Sequence, residues 1–168
     1  MKKAFLLALS CFGLVLTCRA QTAAPAAATP QYRPAYHFSP AAHWMNDPNG
    51  MVYYQGTYHL FFQYYPGGTT WGPMHWGHAT SPDLLHWTPQ PVALTEYKNP
   101  DGSNTMIFSG SAVADKDNTS GLFPKGQTDG LVAFYTGHVE RPGVVLHQHQ
   151  NLAYSLDHGL TWQRYAGN

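Results

Sequence analysis

The feature that most constrains this chain is a repeat. From Tyr36 onward, two sets of four short apolar runs follow one another, each run closed by Gly, Pro, Asn or Asp. The first set is Met51–Tyr54, Tyr58–Tyr64, Trp76–Ala79 and Trp87–Pro89. The second is Ser109–Ala114, Leu131–Thr136, Leu152–Tyr154 and Trp162–Tyr165. Each third run leads into the same kind of turn: Ser81-Pro82-Asp83-Leu84-Leu85-His86-Trp87 is answered by Ser155-Leu156-Asp157-His158-Gly159-Leu160-Thr161-Trp162. Ser, Asp and the closing Trp recur. No stretch holds a 3.6-residue period long enough for a helix. Four short antiparallel strands repeated as a unit predict an all-β fold of propeller blades, against the alternative of two similar hairpins in a sandwich. Propellers close with about 4–8 blades. The strand count here covers about two, which predicts a chain interrupted after its second blade.

Composition fits that reading and excludes others. Aromatics make up 14% of the chain and charged residues only 11%, with 16 Gly and 13 Pro. Such a chain is neither disordered nor a helical bundle. Beyond residue 20, six Lys and Arg stand against nine Asp and Glu. A basic footprint for nucleic acid is therefore not expected.

The first twenty residues read as an address. Lys2-Lys3 precedes an apolar run from Ala4 to Thr17, too short to span about 30 Å of hydrocarbon as a helix. The pattern predicts a signal peptide over residues 1–20, with cleavage after Ala20 and export to a periplasm or the medium. No membrane association is expected after cleavage. Cys11 and Cys18, the two cysteines, both fall inside it, so the exported chain would carry no disulfide. Residues 21–34, rich in Ala, Pro and Thr, read as a linker ahead of the domain at 35–168.

The string richest in chemistry is His43-Trp44-Met45-Asn46-Asp47-Pro48-Asn49-Gly50. Asn-Asp-Pro-Asn-Gly is turn chemistry, and a tight loop is one reading of it. Rings and amides crowd around it. Trp44, Tyr64, Trp71, Trp76 and Phe108 offer faces on which sugars stack, while Asn46, Gln63, His75, His78 and Ser109 offer hydrogen bonds to hydroxyls. A carboxylate set by a turn beside aromatic walls suits a glycosidase nucleophile.

Residues 43–50 resemble the Trp-Met-Asn-Asp-Pro-Asn-Gly signature of glycoside hydrolase family 32, the β-fructosidases: invertases, levanases and inulinases. The resemblance continues, in order, through Tyr58-His59-Leu60-Phe61-Phe62-Gln63-Tyr64, Trp71-Gly72-Pro73-Met74-His75-Trp76-Gly77-His78, Asp83-Leu84-Leu85-His86-Trp87 and Phe108-Ser109-Gly110-Ser111. It implies a five-bladed β-propeller, usually followed by a β-sandwich. It implies that Asp47 is the nucleophile attacking the anomeric carbon of a terminal β-fructofuranosyl unit. It implies that Asn46, Gln63, Trp71, Phe108 and Ser109 shape the pocket around that unit. The implied partner is a fructose-containing oligo- or polysaccharide such as sucrose, levan or inulin. The same resemblance leaves open a fructosyltransferase, and a fructan-binding module without catalysis.

Retaining hydrolysis needs a second carboxyl about 5–5.5 Å from the first. The family supplies it from a Glu-Cys motif and adds an Arg-Asp-Pro motif; neither string occurs in this sequence. Glu96, in a loop of Asn, Pro, Asp and Gly, and Glu140, beside Arg141 and Pro142, read as solvated charges. The polypeptide as given is expected to be inactive or nearly so. No cofactor is expected. His147-Gln148-His149 would put two imidazoles on one face of a strand, but without a third ligand no metal site is expected.

Overall fold

The computed structural model describes residues 32–34 and 36–168; residues 1–20 and most of the stretch 21–34 lie outside the described residues. The unit beginning at Arg33 is built from nine β-strands, and no described residue is helical. They form two antiparallel sheets. One holds β1 (Trp44–Tyr54), β2 (Thr57–Tyr65), β3 (His75–Ser81) and β4 (Thr88–Leu94) in that order. The other holds β5 (Tyr97–Lys98), β6 (Asn104–Asp115), β7 (Gly130–Arg141), β8 (Val144–Ser155) and β9 (Gln163–Arg164). Each sheet is a blade-like meander, as the repeat predicts.

Local chemistry explains the turns. β1 and β2 are joined by Gln55-Gly56, both at positive φ (44° and 84°), as a two-residue hairpin requires. β7 and β8 reverse at Pro142-Gly143, where Gly143 has φ 78°. Proline followed by a positive-φ glycine suits a type II turn. The repeated Ser-Asp-Trp turns are built alike. Ser81 Oγ bonds Asp83 Oδ1, which accepts from the amides of Leu85 and His86, and Trp87 Nε1 donates to Leu84 O at 3.1 Å. In the second copy Ser155 Oγ bonds Asp157 Oδ1, which accepts from Thr161 N, and Trp162 Nε1 donates to Gly159 O at 3.2 Å.

The core lies between the sheets. Phe61, Trp76 and Leu94 of the first pack on Ile107, Ala112, Ala133, Tyr135 and Ala153 of the second. Hydrogen bonds also join the two halves at its edge. Gln63 Nε2 donates to Ile107 O at 2.9 Å, Trp76 Nε1 to Phe108 O at 2.9 Å, and Ile107 N to Met74 O at 2.9 Å. Five consecutive residues of β2, His59–Gln63, are buried, the sign of a strand covered on both faces.

Two expectations change. Asn46–Gly50 is not a loop but the first half of β1, and the strand absorbs its turn-forming residues as two bulges. β7 and β8 run well past Thr136 and begin well before Leu152, because Gly143 lets the chain reverse tightly beyond Glu140-Arg141. Glu140, His147 and His149 are thus strand residues.

Candidate active site

Asp47 owes its position to a register slip. Asn46 faces Gln63 across the ladder and Pro48 faces Phe62, so Asp47 is an extra residue with no partner. Such a bulge bends the strand and turns one side chain out of the alternation. Its φ of 27° is a conformation that non-glycine residues adopt at a cost, held here by the flanking ladder. The same device recurs on β6. Phe108 faces Thr136 and Gly110 faces Tyr135, so Ser109 is likewise unpaired. The two bulges face each other: Ser109 Oγ donates to Asp47 Oδ2 at 3.3 Å, and Gly110 N donates to Asn49 Oδ1 at 3.3 Å.

Around this contact lies an open cavity of about 430 Å³ lined by Asn46, Asp47, Gln63, Trp71, Phe108, Ser109, Thr136 and Gln148. All six residues singled out in the sequence meet there. Asn46 is held by the indole of Trp44, whose Nε1 donates to Asn46 Oδ1 at 2.7 Å. Gln63 is anchored through its Nε2 to Ile107 O, which leaves its carbonyl oxygen on the cavity side. Trp71, 53% exposed, and the half-buried Phe108 give the aromatic walls.

Other residues proposed as sugar contacts have different roles. Trp76 is fully buried in the core. His78 is buried as well, stacked on Phe61 and bonded to His59 (His59 Nδ1 to His78 Nε2, 3.1 Å). His75 is turned to Pro73 O, at 2.9 Å. Neither Tyr64 nor Trp44 lines the cavity.

Thr136 and Gln148 escaped the sequence reading because they belong to a hairpin whose upper half was not apparent. Alternation in His147-Gln148-His149-Gln150 carried the signal, since one face of that strand presents both glutamines.

Asp47 is the one carboxylate lining this cavity. Glu96 and Glu140, both partly buried rather than fully solvated, line a separate cavity of about 450 Å³ with Tyr97, Lys98, Asn104 and Arg141. Glu96 Oε2 accepts from Asn104 Nδ2 there. The rings of His147 and His149 lie 5.2 Å apart, and among the described residues no three His, Cys, Asp or Glu side chains are placed to hold a metal ion.

Comparison with known proteins bears on this geometry. Residues 37–168 match the Glycosyl hydrolases family 32 N-terminal domain. A levanase of Bacillus subtilis is 55% identical over 170 residues, covering 100% of this chain and 24% of the levanase. An extracellular exo-inulinase of Aspergillus niger is 54% identical over 142 residues, 80% of this chain and 26% of that protein. The crystal structure of an exo-inulinase from Aspergillus awamori superposes with a TM-score of 0.69 at 53% identity, over 77% of this chain and 26% of that one. This chain thus spans about a quarter of the length of these relatives.

Proposed function

The chain belongs to glycoside hydrolase family 32, and from that premise we propose that it is the nucleophile-bearing part of a retaining β-fructosidase acting on terminal fructosyl units of sucrose or fructans. The carrying observation is the single carboxylate, Asp47, set by a bulge into a cavity walled by Trp71 and Phe108 and edged by amides. A flat ring stacks on the walls, and Asn46, Gln63 and Ser109 take its hydroxyls. Asp47 then bonds to the anomeric carbon as the leaving oxygen departs with a proton from a general acid, and water later releases the fructosyl group. A module that only binds has no use for a carboxylate held at a costly φ.

Residues 1–168 contain no Glu-Cys or Arg-Asp-Pro string. Lacking a general acid lowers turnover by roughly 10²–10⁴, so this polypeptide by itself hydrolyses sucrose poorly. Export through residues 1–20 accords with the charge-then-apolar order of that segment and with the extracellular nature of the Aspergillus niger relative.

The test uses β-fructofuranosyl fluoride, whose leaving group departs as fluoride without needing a proton. Asp47 should capture the fructosyl cation equivalent as an ester, seen by peptide mass spectrometry on the 47-bearing peptide and absent in Asp47→Asn. A chain that binds sucrose yet forms no adduct would show that Asp47 is not the nucleophile.

A further inference from the structure

The β7–β8 hairpin contributes Thr136 and Gln148 to the cavity lining. Thr136 and His138 lie on one face of β7, and their cross-strand partners are Gln150 and Gln148 on β8. Gln150 Nε2 donates to Thr136 Oγ1 at 2.9 Å, and Gln148 Nε2 contacts His138 Nδ1 at 2.7 Å. His138 is buried; its ring stacks on Phe108 with centroids 4.4 Å apart and planes 13° from parallel. Its other nitrogen, Nε2, faces Glu140 Oε2 at 3.5 Å.

These contacts fix the proton and the amide. The carboxylate of Glu140 holds the ring proton on Nε2, so Nδ1 is left as an acceptor. Gln148 must then present its NH₂ to His138, and its carbonyl oxygen is left for the cavity that Gln148 lines. An exposed glutamine with several free torsions would ordinarily be a poor recognition group, because ordering it costs entropy. Anchored on a buried ring, it is ordered in advance.

Resting on the reading of the cavity as a fructosyl site, we infer that Gln148 is a sugar-recognising residue, its carbonyl accepting a hydroxyl in the cavity that Asp47 also lines. His138 is its positioning residue. Ring packing and positioning are separable here. His138→Phe keeps a flat ring on Phe108 but removes the acceptor. His138→Asn loses the ring but keeps an oxygen where Nδ1 was.

The experiment is a sucrose titration of the chain followed by tryptophan fluorescence, with Trp71 in the cavity as reporter. Gln148→Leu and His138→Phe should each weaken binding about 3- to 10-fold, the effect of one neutral hydrogen bond. The double variant should be no weaker than Gln148→Leu alone. His138→Asn should stay within about twofold of the unsubstituted chain. Unchanged binding in His138→Phe, or equal weakening in His138→Asn and His138→Phe, would overturn the inference. Should the buried substitutions unfold the chain, Gln148→Leu on the exposed strand decides it: binding within about twofold of the unsubstituted chain overturns it. No sucrose binding by the unsubstituted chain would overturn the fructosyl reading itself, and the inference with it.

Discussion

Asp47 and Ser109 are each the one unpaired residue of a bulge, 62 positions apart on β1 of one sheet and β6 of the other, and their side chains meet at 3.3 Å. A hydroxyl donated to one carboxylate oxygen lowers that oxygen's freedom and, if Asp47 acts as proposed, leaves the other, Oδ1, for the attack. Ser109→Ala should slow capture of the fructosyl group from its fluoride by about tenfold, the size of one hydrogen bond to a charged group. Rapid-quench mass spectrometry measures that rate. An unchanged rate would mean that the contact does not orient the nucleophile.

Gly110 follows the second bulge, where the strands come too close for a side chain. A Cβ built there would lie 1.9 Å from Phe134 O, which belongs to a paired backbone and cannot move aside. Gly110→Ala should cost about 3 kcal/mol in urea unfolding, at the upper end of overpacking effects. Gly56→Ala offers a contrast, because no atom lies within 4 Å of a Cβ there and only its φ of 84° is strained.

Trp71 and Trp76 sit five positions apart and should behave oppositely. Trp76, fully buried and bonded to Phe108 O, should cost about 3–5 kcal/mol when replaced by Ala. Trp71→Ala should leave the unfolding midpoint nearly unchanged and weaken sucrose binding about tenfold, through loss of a stacking wall. Matching losses of stability in the two variants would sink the assignment of Trp71 to the cavity.

Acid should destabilise the fold at the β2–β3 pair, where His59 and His78 are buried against each other. Burial lowers the His59 pKa; burial, reinforced by His59, takes His78 down to about 3. The His78 ring is therefore neutral in the fold near pH 5, and His59 resists protonation in the same sense, while in the unfolded chain both take up protons around 6.5. The stability that His78 contributes is fully present above that value and is lost as pH drops toward 3, by up to about 1.4 kcal/mol per pH unit, and His59 adds to the loss in the same direction. Thermal unfolding between pH 7 and 4 checks the slope. His78→Gln should flatten it, and an equal slope in that variant would exclude His78 as the source.

The repeat was legible because its evidence is local. Ser81, Asp83 and Trp87 close one turn within seven residues, and Ser155, Asp157 and Trp162 close its copy, so side-chain type alone reports the geometry. The six residues around the cavity were legible through resemblance. What escaped depends on partners far along the chain. Asn, Asp, Pro and Gly serve a turn and a bulge equally well, and only the pairing of β1 with β2 makes 46–50 the latter. Likewise nothing within Trp71-Gly72-Pro73-Met74-His75-Trp76 says which indole faces solvent. Residues of the second sheet decide that, by accepting a bond from one and covering it. Gln148 was hidden for the same reason, its role being set by a ring on the opposite strand.

The paired bulges make the site depend on the count of residues more than on their kind. Removing Asp47 or Ser109 outright would close that bulge and bring Asn46–Gln63 next to Pro48–Phe62, or Phe108–Thr136 next to Gly110–Tyr135, without interruption. The flanking residues would keep their partners and their faces, and only the side chain that the bulge turns out of the alternation would be lost. A gene losing one codon at either place would keep the flanking strand pairs and lose the contact between Asp47 and Ser109. Regularity and chemistry here compete for the same two residues.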